Sequence, residues 1–260
     1  IDDPAKTVIE PLADKELKTV YDFDLMLGGG HIEGRLADSD TAKQIDAALA
    51  ELAKPENFEK RSFVSGVPVL LYAMGDGNHS LATAKAYYEE LKKTHPGEDL
   101  SDHPARYALA EVVNLHSPAL EFEAIHRLIE GVDARRFLIE MTNALGLTDN
   151  NCPQYFEMIM GSETYRAGIT KPTSNLTVGS VQEFIDRYLK ENGGSVDYIH
   201  GADVVKKLAS KPDTVGIILP YMGKDELFPT VIKDGALPRK TFSMGHAEDK
   251  RYYVEARSIR

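Results

Sequence analysis

The sequence predicts an α/β or α+β protein in which a mixed β-sheet is flanked by helices. Apolar runs of strand length are interleaved with segments of helical periodicity, the pattern of a layered sheet-and-helix domain. Hairpin-type turns occur at the start and in the middle of the chain, which favours a mixed sheet over a purely parallel one. The chain has 260 residues, 42% of them hydrophobic, and can bury the core of one large or two small domains.

The first elements are a hairpin and a capped helix. Residues 16–27 contain alternating apolar and polar side chains, and glycines at 28–30 provide a turn. "HIEGRLA" (31–37) is predicted as the returning strand. Asp38 or Ser39 can cap the following helix, because both side chains accept hydrogen bonds from the first helical turn.

Buried strands and a helix are predicted next. "VPVLLYAM" (67–74), "RYALAEVVNL" (106–115) and "LEFEAIHRLI" (120–129) have the length and branched residues of strands. Between the first two, one helical face carries four apolar residues, namely Leu81, Ala84, Tyr88 and Leu91.

The rest of the chain continues this alternation. A helix is predicted from Asp133, a hairpin around Gly161, and a helix from the capping box formed by Ser180 and Glu183. "TVGIILP" (214–220) is predicted as a buried strand. The polar segment 147–154 is the best candidate boundary, dividing the chain into 1–147 and 148–260, although interleaved domains are an alternative.

Composition excludes several classes of function. The formal net charge of −11 disfavours binding to nucleic acid or anionic membranes, since phosphate groups would be repelled. A single cysteine, Cys152, excludes an internal disulfide framework and suits the reducing cytoplasm. No apolar run approaches the roughly 20 residues that span a bilayer. The chain opens on Ile1 without a signal sequence, and we expect it to be part of a longer protein.

The most informative motif is the turn "DGNHS", which follows the first predicted buried strand and begins a helix. The unpaired N–H groups and the dipole at a helix start stabilise phosphate. Gly77 allows a positive φ or a close approach of the ligand. Asn78, His79 and Ser80 can donate hydrogen bonds, and Asp76 could hold a metal ion or accept a proton. The alternative is that Asp76 or Asn78 caps the helix and His79 packs locally.

Two further groups could bind an anion. His126 and Arg127 end an apolar strand, where a cation could hold a carboxylate or phosphate; a packed histidine and a surface salt bridge are the alternative. Near the C-terminus, the basic pair Arg239 and Lys240 precedes Ser243.

His246 follows Arg239, Lys240 and Ser243 and completes this C-terminal group. A basic cluster beside a hydroxyl is unusual in an acidic chain and suggests an anion site. The alternative is a solvated C-terminal strand. Asn114 and His116 follow a predicted buried strand, a position where polar side chains often line a site. Asn114 is therefore a further candidate ligand.

The turn resembles the D-G-x-H-R-x-x-A signature of the ParB/sulfiredoxin-like superfamily. "ARYALAEVVNLHSPALEFEAIHRLIEGV" and "GIILPYMGKDELFPTVIKDGALPRKTFSMG", in that order after the turn, resemble the family called domain of unknown function 1015. The resemblance covers most of the chain, as the C-terminal two-thirds of a longer family protein. It implies a ParB/sulfiredoxin-like portion over 1–147 and a second sub-domain over 148–260 that completes the site.

The chain departs from the signature at Ser80, where most relatives have arginine, the bidentate phosphate ligand. Its tail reads Pro-Arg-Lys-Thr-Phe (238–242) where relatives commonly have Pro-Lys-Ser-Thr-Tyr-Phe. Arg239 and Lys240 could replace the missing charge.

The resemblance implies a cytoplasmic protein that binds a nucleotide or other anionic phosphometabolite. Some superfamily members are small-molecule kinases, including kinases of free serine. With ATP or ADP and Mg²⁺, Asp76 would hold the metal or accept a proton, while Asn78 and His79 would hold phosphate. Arg127 and Lys240 would neutralise the developing charge.

The motifs identify no general base, and a non-catalytic metabolite-sensing module is the alternative function, favoured by Ser80. ParB-like DNA binding is disfavoured by the negative charge. The sequence leaves the oligomeric state open, and a homodimer is one option.

Overall fold

The computed structural model of the protein describes residues 1–244 and 254–259. The chain forms two compact units. Within the described residues, the first unit contains Ile1–Arg61, Gly66–Ser117 and 254–259. The second contains 62–65 and 118–244. Across the same described ranges, no helix combines the length and apolarity that crossing a bilayer requires.

The first unit begins with the predicted hairpin, in which β1 (Lys18–Asp24) pairs antiparallel with β2 (His31–Leu36). Its helices are α1 (Ser39–Leu52), α2 (Pro55–Ser62, whose last residue belongs to the second unit) and α3 (Asn78–Thr94). Asp38 caps α1 as predicted, because its side chain accepts a hydrogen bond from the Thr41 amide at 2.8 Å. A small core forms where α1 packs against the start of the chain, through Ile1, Val8, Leu52, Ile45, Leu49 and Leu71.

Two predicted strands of this unit are not observed. Residues 67–74 and 107–113 form neither helix nor strand, and Tyr72 and Leu109 are 52% and 55% exposed. A strand needs a neighbour that satisfies its backbone, and no described strand pairs with either segment. The prediction of buried strands here is therefore wrong. Helix α3 forms as predicted, but none of its side chains is fully buried, and Ala84, Tyr88 and Leu91 of the predicted apolar face are half-buried.

The second unit is built on one seven-stranded sheet. Its strands are β3 (Phe122–Glu130), β4 (Leu147–Thr148), β5 (Tyr155–Met160), β6 (Glu163–Ile169), β7 (Ser195–His200), β8 (Thr214–Ile218) and β9 (Phe242–Met244). The order is β4-β6-β5-β8-β3-β7, and β9 also pairs with β3. Every described pair is antiparallel. The prediction of a mixed sheet is thus wrong, and the α+β alternative describes this unit.

The predicted boundary segment 147–154 lies within this sheet. It contains β4 and leads into β5, and both strands pair with β6. The two compact units divide near residue 118, and segments 62–65 and 254–259 each belong to the unit on the other side of this division. The hairpin predicted around Gly161 is confirmed as β5 and β6.

Within the described part of the second unit, four helices accompany the sheet: α4 (Ala134–Leu145), α5 (Thr177–Asn192), α6 (Ala202–Leu208) and α7 (Lys224–Asp234). Asp133 caps α4 by accepting from the Arg136 amide at 3.0 Å. The predicted capping box at Ser180 is wrong, because α5 begins at Thr177. The Ser180 hydroxyl instead accepts from the Thr173 amide and donates to the side-chain oxygen of Gln154.

Candidate functional site

The turn that precedes α3 leaves the helix start without a cap. Gly77 is the N-cap residue, with φ of 82°, and its carbonyl accepts the first helical hydrogen bond from the Leu81 amide at 2.9 Å. No side chain caps the helix, and its first turn contains no acidic residue. The amides of Asn78, His79 and Ser80 consequently have no hydrogen-bond acceptor among the described residues.

This helix start is open to solvent. Asn78, His79 and Ser80 are exposed, and a Cβ atom built on Gly77 would meet nothing within 4 Å. The positive φ still requires glycine, since an L-residue there costs about 1–2 kcal/mol. The Asp76 carboxylate turns back on the loop, where Oδ1 accepts from the Gly77 amide at 2.8 Å. An anion can therefore approach three free amides.

Among the described residues, no cluster of metal-binding side chains surrounds Asp76. In the part of the chain that the structure describes, no group of three or more His, Cys, Asp or Glu side chains could hold a metal ion. One carboxylate can still contribute to a Mg²⁺ site when the substrate phosphates and water supply the other ligands. Asp76 alone does not define such a site.

Asn114 lies in the first unit, in a structural network. Its side-chain amide donates both hydrogens, to the carbonyl of Asp3 at 2.9 Å and to Oε1 of Glu10 at 2.8 Å. Its Oδ1 accepts from the amide of His116 at 3.1 Å. The residue is buried, so its polar groups hold the loop together and face no open surface.

Arg127 lies in the second unit, inside the sheet. It is fully buried on β3, and Nε donates to Oε1 of Gln182 while Nη1 donates to the carbonyl of Ile125, both at 2.7 Å. The guanidinium carbon is 4.6 Å from the centre of the Tyr198 ring. Burial lowers the pKa of Arg127 to about 10, so the side chain stays charged at neutral pH.

Two buried polar atoms around the guanidinium have no hydrogen-bond partner among the described residues. Nη2 of Arg127 and Oη of Tyr198 are buried, and neither makes a hydrogen bond within the described residues. The surface salt bridge considered for Arg127 is not formed with any described residue, because the side chain is fully buried. The guanidinium instead contributes to the interior of the second unit.

His126, the neighbour of Arg127, is also buried. Its Nδ1 accepts from the Leu219 amide at 3.2 Å, so the neutral ring carries its proton on Nε2. Burial lowers the pKa of His126, and the positive charges of Arg127 and His200 lower it further, against a smaller opposing effect of Glu123.

We predict that acid destabilises the protein through His126. Because the pKa of His126 is lower in the folded state than in the unfolded chain, the unfolded chain takes up the proton first. Stability is thus lost as pH falls below about 6.5, the ordinary histidine value. Urea unfolding at pH 7.5 and 5.5 measures this loss, and His126→Gln should reduce it. An unchanged loss in His126→Gln would contradict the assignment.

The basic residues near the C-terminus lie on the surface of the second unit. Arg239 and Lys240 are exposed in the turn before β9. Ser243 lies on β9 opposite Glu123 of β3, which brings it to the strand that carries His126. The fourth member of this group, His246, lies outside the described residues.

The candidate residues thus belong to different units. The turn from Asp76 to Ser80 and Asn114 belong to the first unit. The second unit holds the others, namely His126, Arg127, Arg239, Lys240 and Ser243.

The partners of these residues lie far away in the sequence and could not be predicted from it. Asp2 contacts His116 across 114 positions of the chain, and Gln182 contacts Arg127 across 55. Spacing carries no signal for such contacts, because they form only when distant segments pack together.

Comparison with known proteins identifies the family. Residues 1–188 match the model of the family described as "Protein of unknown function (DUF1015)". The match extends over more than half of the chain, and the protein belongs to this family. Among curated proteins, no sequence matches it significantly.

Several solved structures overlap part of the chain. A conserved hypothetical protein from Pyrococcus furiosus aligns over 53% of this chain and 61% of its own, less than two thirds of its length, with 11% identity and a TM-score of 0.39. A free serine kinase in complex with AMP aligns over 63% of this chain and 80% of its own, with 13% identity and a TM-score of 0.39. A mutant of free serine kinase in complex with ADP aligns over 64% of this chain and 80% of its own, with 14% identity and a TM-score of 0.40. These partial structural similarities do not identify a ligand, which must be inferred from the residues of this chain.

Proposed function

We propose that the protein binds a nucleotide or another phosphorylated small molecule at the start of α3. The observation that carries the proposal is the open turn at Gly77, where three amides lack acceptors and no acidic residue follows in the first turn. A helix of 17 residues adds a dipole that favours negative charge at this end. The D-G-x-H resemblance to ParB/sulfiredoxin-like proteins supports the same position.

In the catalytic form of the proposal, the protein is a cytoplasmic small-molecule kinase that uses ATP or ADP with Mg²⁺. Asn78 and His79 would hold phosphate by side-chain donors added to their free amides. The second carboxylate oxygen of Asp76 would coordinate Mg²⁺, since Oδ1 already accepts from Gly77. Catalysis would then depend mainly on positioning and charge neutralisation.

We predict that Ser80→Asp weakens nucleotide binding at least tenfold. A new carboxylate about 4 Å from a bound phosphate would cost up to about 4 kcal/mol at an effective dielectric constant of 20, and tenfold corresponds to about 1.4 kcal/mol. Isothermal titration calorimetry with ADP and ATP, with and without Mg²⁺, measures the dissociation constant.

Ala86→Asp is the matched control, because it adds the same charge to an exposed position about 9 Å further along the same helix. Ser80→Arg, which restores the residue of the D-G-x-H-R signature, should tighten binding. Equal affinities for wild type, Ser80→Asp and Ser80→Arg would exclude this turn as the phosphate site.

A non-catalytic metabolite-sensing module is the second candidate. The observation that favours it is Ser80 itself, which replaces the expected arginine with a weaker ligand of phosphate. Thermal stabilisation by a nucleotide without product formation would support the sensor. Product formation that is lost in Asp76→Ala would support the kinase.

A further inference from the structure

An aspartate, a histidine and an arginine from distant positions meet in the first unit. The Nε2 atom of His116 lies 2.7 Å from Oδ1 of Asp2, and Nε of Arg61 lies 3.6 Å from Oδ2 of the same carboxylate. The side chains of Asp2 and Arg61 are each 13% exposed, and that of His116 is 23% exposed. The Asp2–His116 pair is thus largely shielded from solvent, while the imidazole of His116 remains accessible.

The hydrogen bond fixes the tautomer of His116. A carboxylate only accepts hydrogen bonds, so Nε2 must carry the proton that it shares with Asp2. In the neutral ring, Nδ1 is then left with a lone pair. It has no hydrogen-bond partner within residues 1–244 and 254–259. A histidine with one ring nitrogen held by a carboxylate and a lone pair on the other nitrogen has the geometry of a general base.

The backbone around His116 is firmly held. Its amide donates to Asn114 Oδ1 at 3.1 Å, and the amide of Leu115 donates to the carbonyl of Ile1 at 2.9 Å. Asn114 in turn donates to the carbonyl of Asp3 and to the carboxylate of Glu10. This network explains why Asn114 is buried: it positions the loop that carries the imidazole.

We propose that His116 is the general base of the phosphoryl transfer, with Asp2 as a positioning residue; this inference rests on the proposed function. Nδ1 of His116 accepts the proton of a hydroxyl group on a small-molecule acceptor. The hydroxyl oxygen forms a bond to the terminal phosphorus of a nucleoside polyphosphate. The bond from that phosphorus to its bridging oxygen breaks, and the shortened nucleotide leaves with the electron pair. Asp2 stabilises the imidazolium that results.

The turn from Asp76 to Ser80 and the Asp2–His116 pair belong to the same unit. Leu71, on the segment leading to the turn, packs against the core that contains Ile1, the neighbour of Asp2. The six residues from Leu71 to Gly77 can span at most about 20 Å. The turn therefore lies within about 20 Å of a residue that packs against the core beside Asp2.

The test compares His116→Gln and Asp2→Asn with His31→Gln. His31 is the matched control, because it also contacts aspartates, Asp24 at 2.8 Å and Asp22 at 2.9 Å, but through both ring nitrogens. Turnover of ATP or ADP with Mg²⁺ and L-serine as hydroxyl probe is measured from pH 5 to 9, and nucleotide affinity is measured by calorimetry.

We expect kcat of His116→Gln to fall about 10²- to 10⁴-fold, with the nucleotide dissociation constant unchanged within about twofold. The decline of kcat/KM at low pH, which reports the protonation of the base, should disappear in this variant. Asp2→Asn should lower kcat more than it changes KM, and His31→Gln should match the wild type.

Two results would overturn the assignment without touching the binding proposal. One is nucleotide binding by the wild type without any turnover. The other is a His116→Gln variant that keeps the wild-type kcat and pH profile. A wild type that binds neither ATP nor ADP would instead remove the proposed function on which this inference rests.

Discussion

Replacing Arg127 with alanine should lower the free energy of unfolding by about 2–5 kcal/mol. The change removes two hydrogen bonds from a charged donor, each contributing about 1.5–3 kcal/mol, and orphans the buried oxygens of Gln182 and Ile125. It also leaves a cavity beneath the ring of Tyr198. The desolvation that lowers the pKa of Arg127 is relieved, which offsets only part of the loss.

Urea unfolding at neutral pH measures this effect. Arg166→Ala is the matched control, because Arg166 also lies over a tyrosine ring, at 4.3 Å from the centre of Tyr155, but is exposed. We expect it to cost no more than about 1 kcal/mol. Arg127→Met, which refills part of the volume, should cost less than Arg127→Ala. If both arginine-to-alanine variants unfold at the same urea concentration, Arg127 does not support the interior.

Replacing Phe137 with alanine should destabilise the second unit by about 3–5 kcal/mol. Phe137 has no exposed surface, and its ring meets those of Phe184 and Tyr188 edge-on at 5.3 and 4.8 Å. The three rings join α4 to α5. Truncation leaves a cavity that a close-packed interior fills only partly.

Ile139→Ala on the same helix is the control for Phe137. Ile139 is 56% exposed, so its truncation should change stability by no more than about 0.5 kcal/mol. Thermal or urea unfolding of both variants gives the comparison. Similar small losses at the two positions would show that the aromatic group does not form the core between the helices.

Elements with local signals were predictable from the sequence. The glycines at 28–30 and Gly161 mark hairpins that form, and Asp38 and Asp133 cap the helices expected after them. In each case the turn or cap interacts with residues a few positions away. Such signals do not depend on how distant segments pack.

Elements that need a distant partner were not predictable. The run 67–74 has the composition of a buried strand, but no described strand pairs with it. Composition reports that a segment could be buried and cannot supply the neighbour. For the same reason, the antiparallel order of the main sheet could not be distinguished from a mixed one.

The candidate site divides in the same way. The turn at Gly77 was identified from adjacent residues, and its positive φ and uncapped helix follow from them. The proximity of His116 to Asp2 and the burial of Arg127 depend on contacts across most of the chain or between a strand and a helix. Neither the contact nor the burial has a signal in the spacing of residues along the chain.

Following the backbone amide resonances during a titration with ADP and ATP shows whether the amides at the start of α3 bind a phosphorylated small molecule. We expect saturable chemical-shift changes that are largest at Gly77, Asn78, His79 and Ser80, and that weaken in Ser80→Asp but not in Ala86→Asp. Saturable shifts confined to other residues, or none at millimolar nucleotide, would contradict the proposed site.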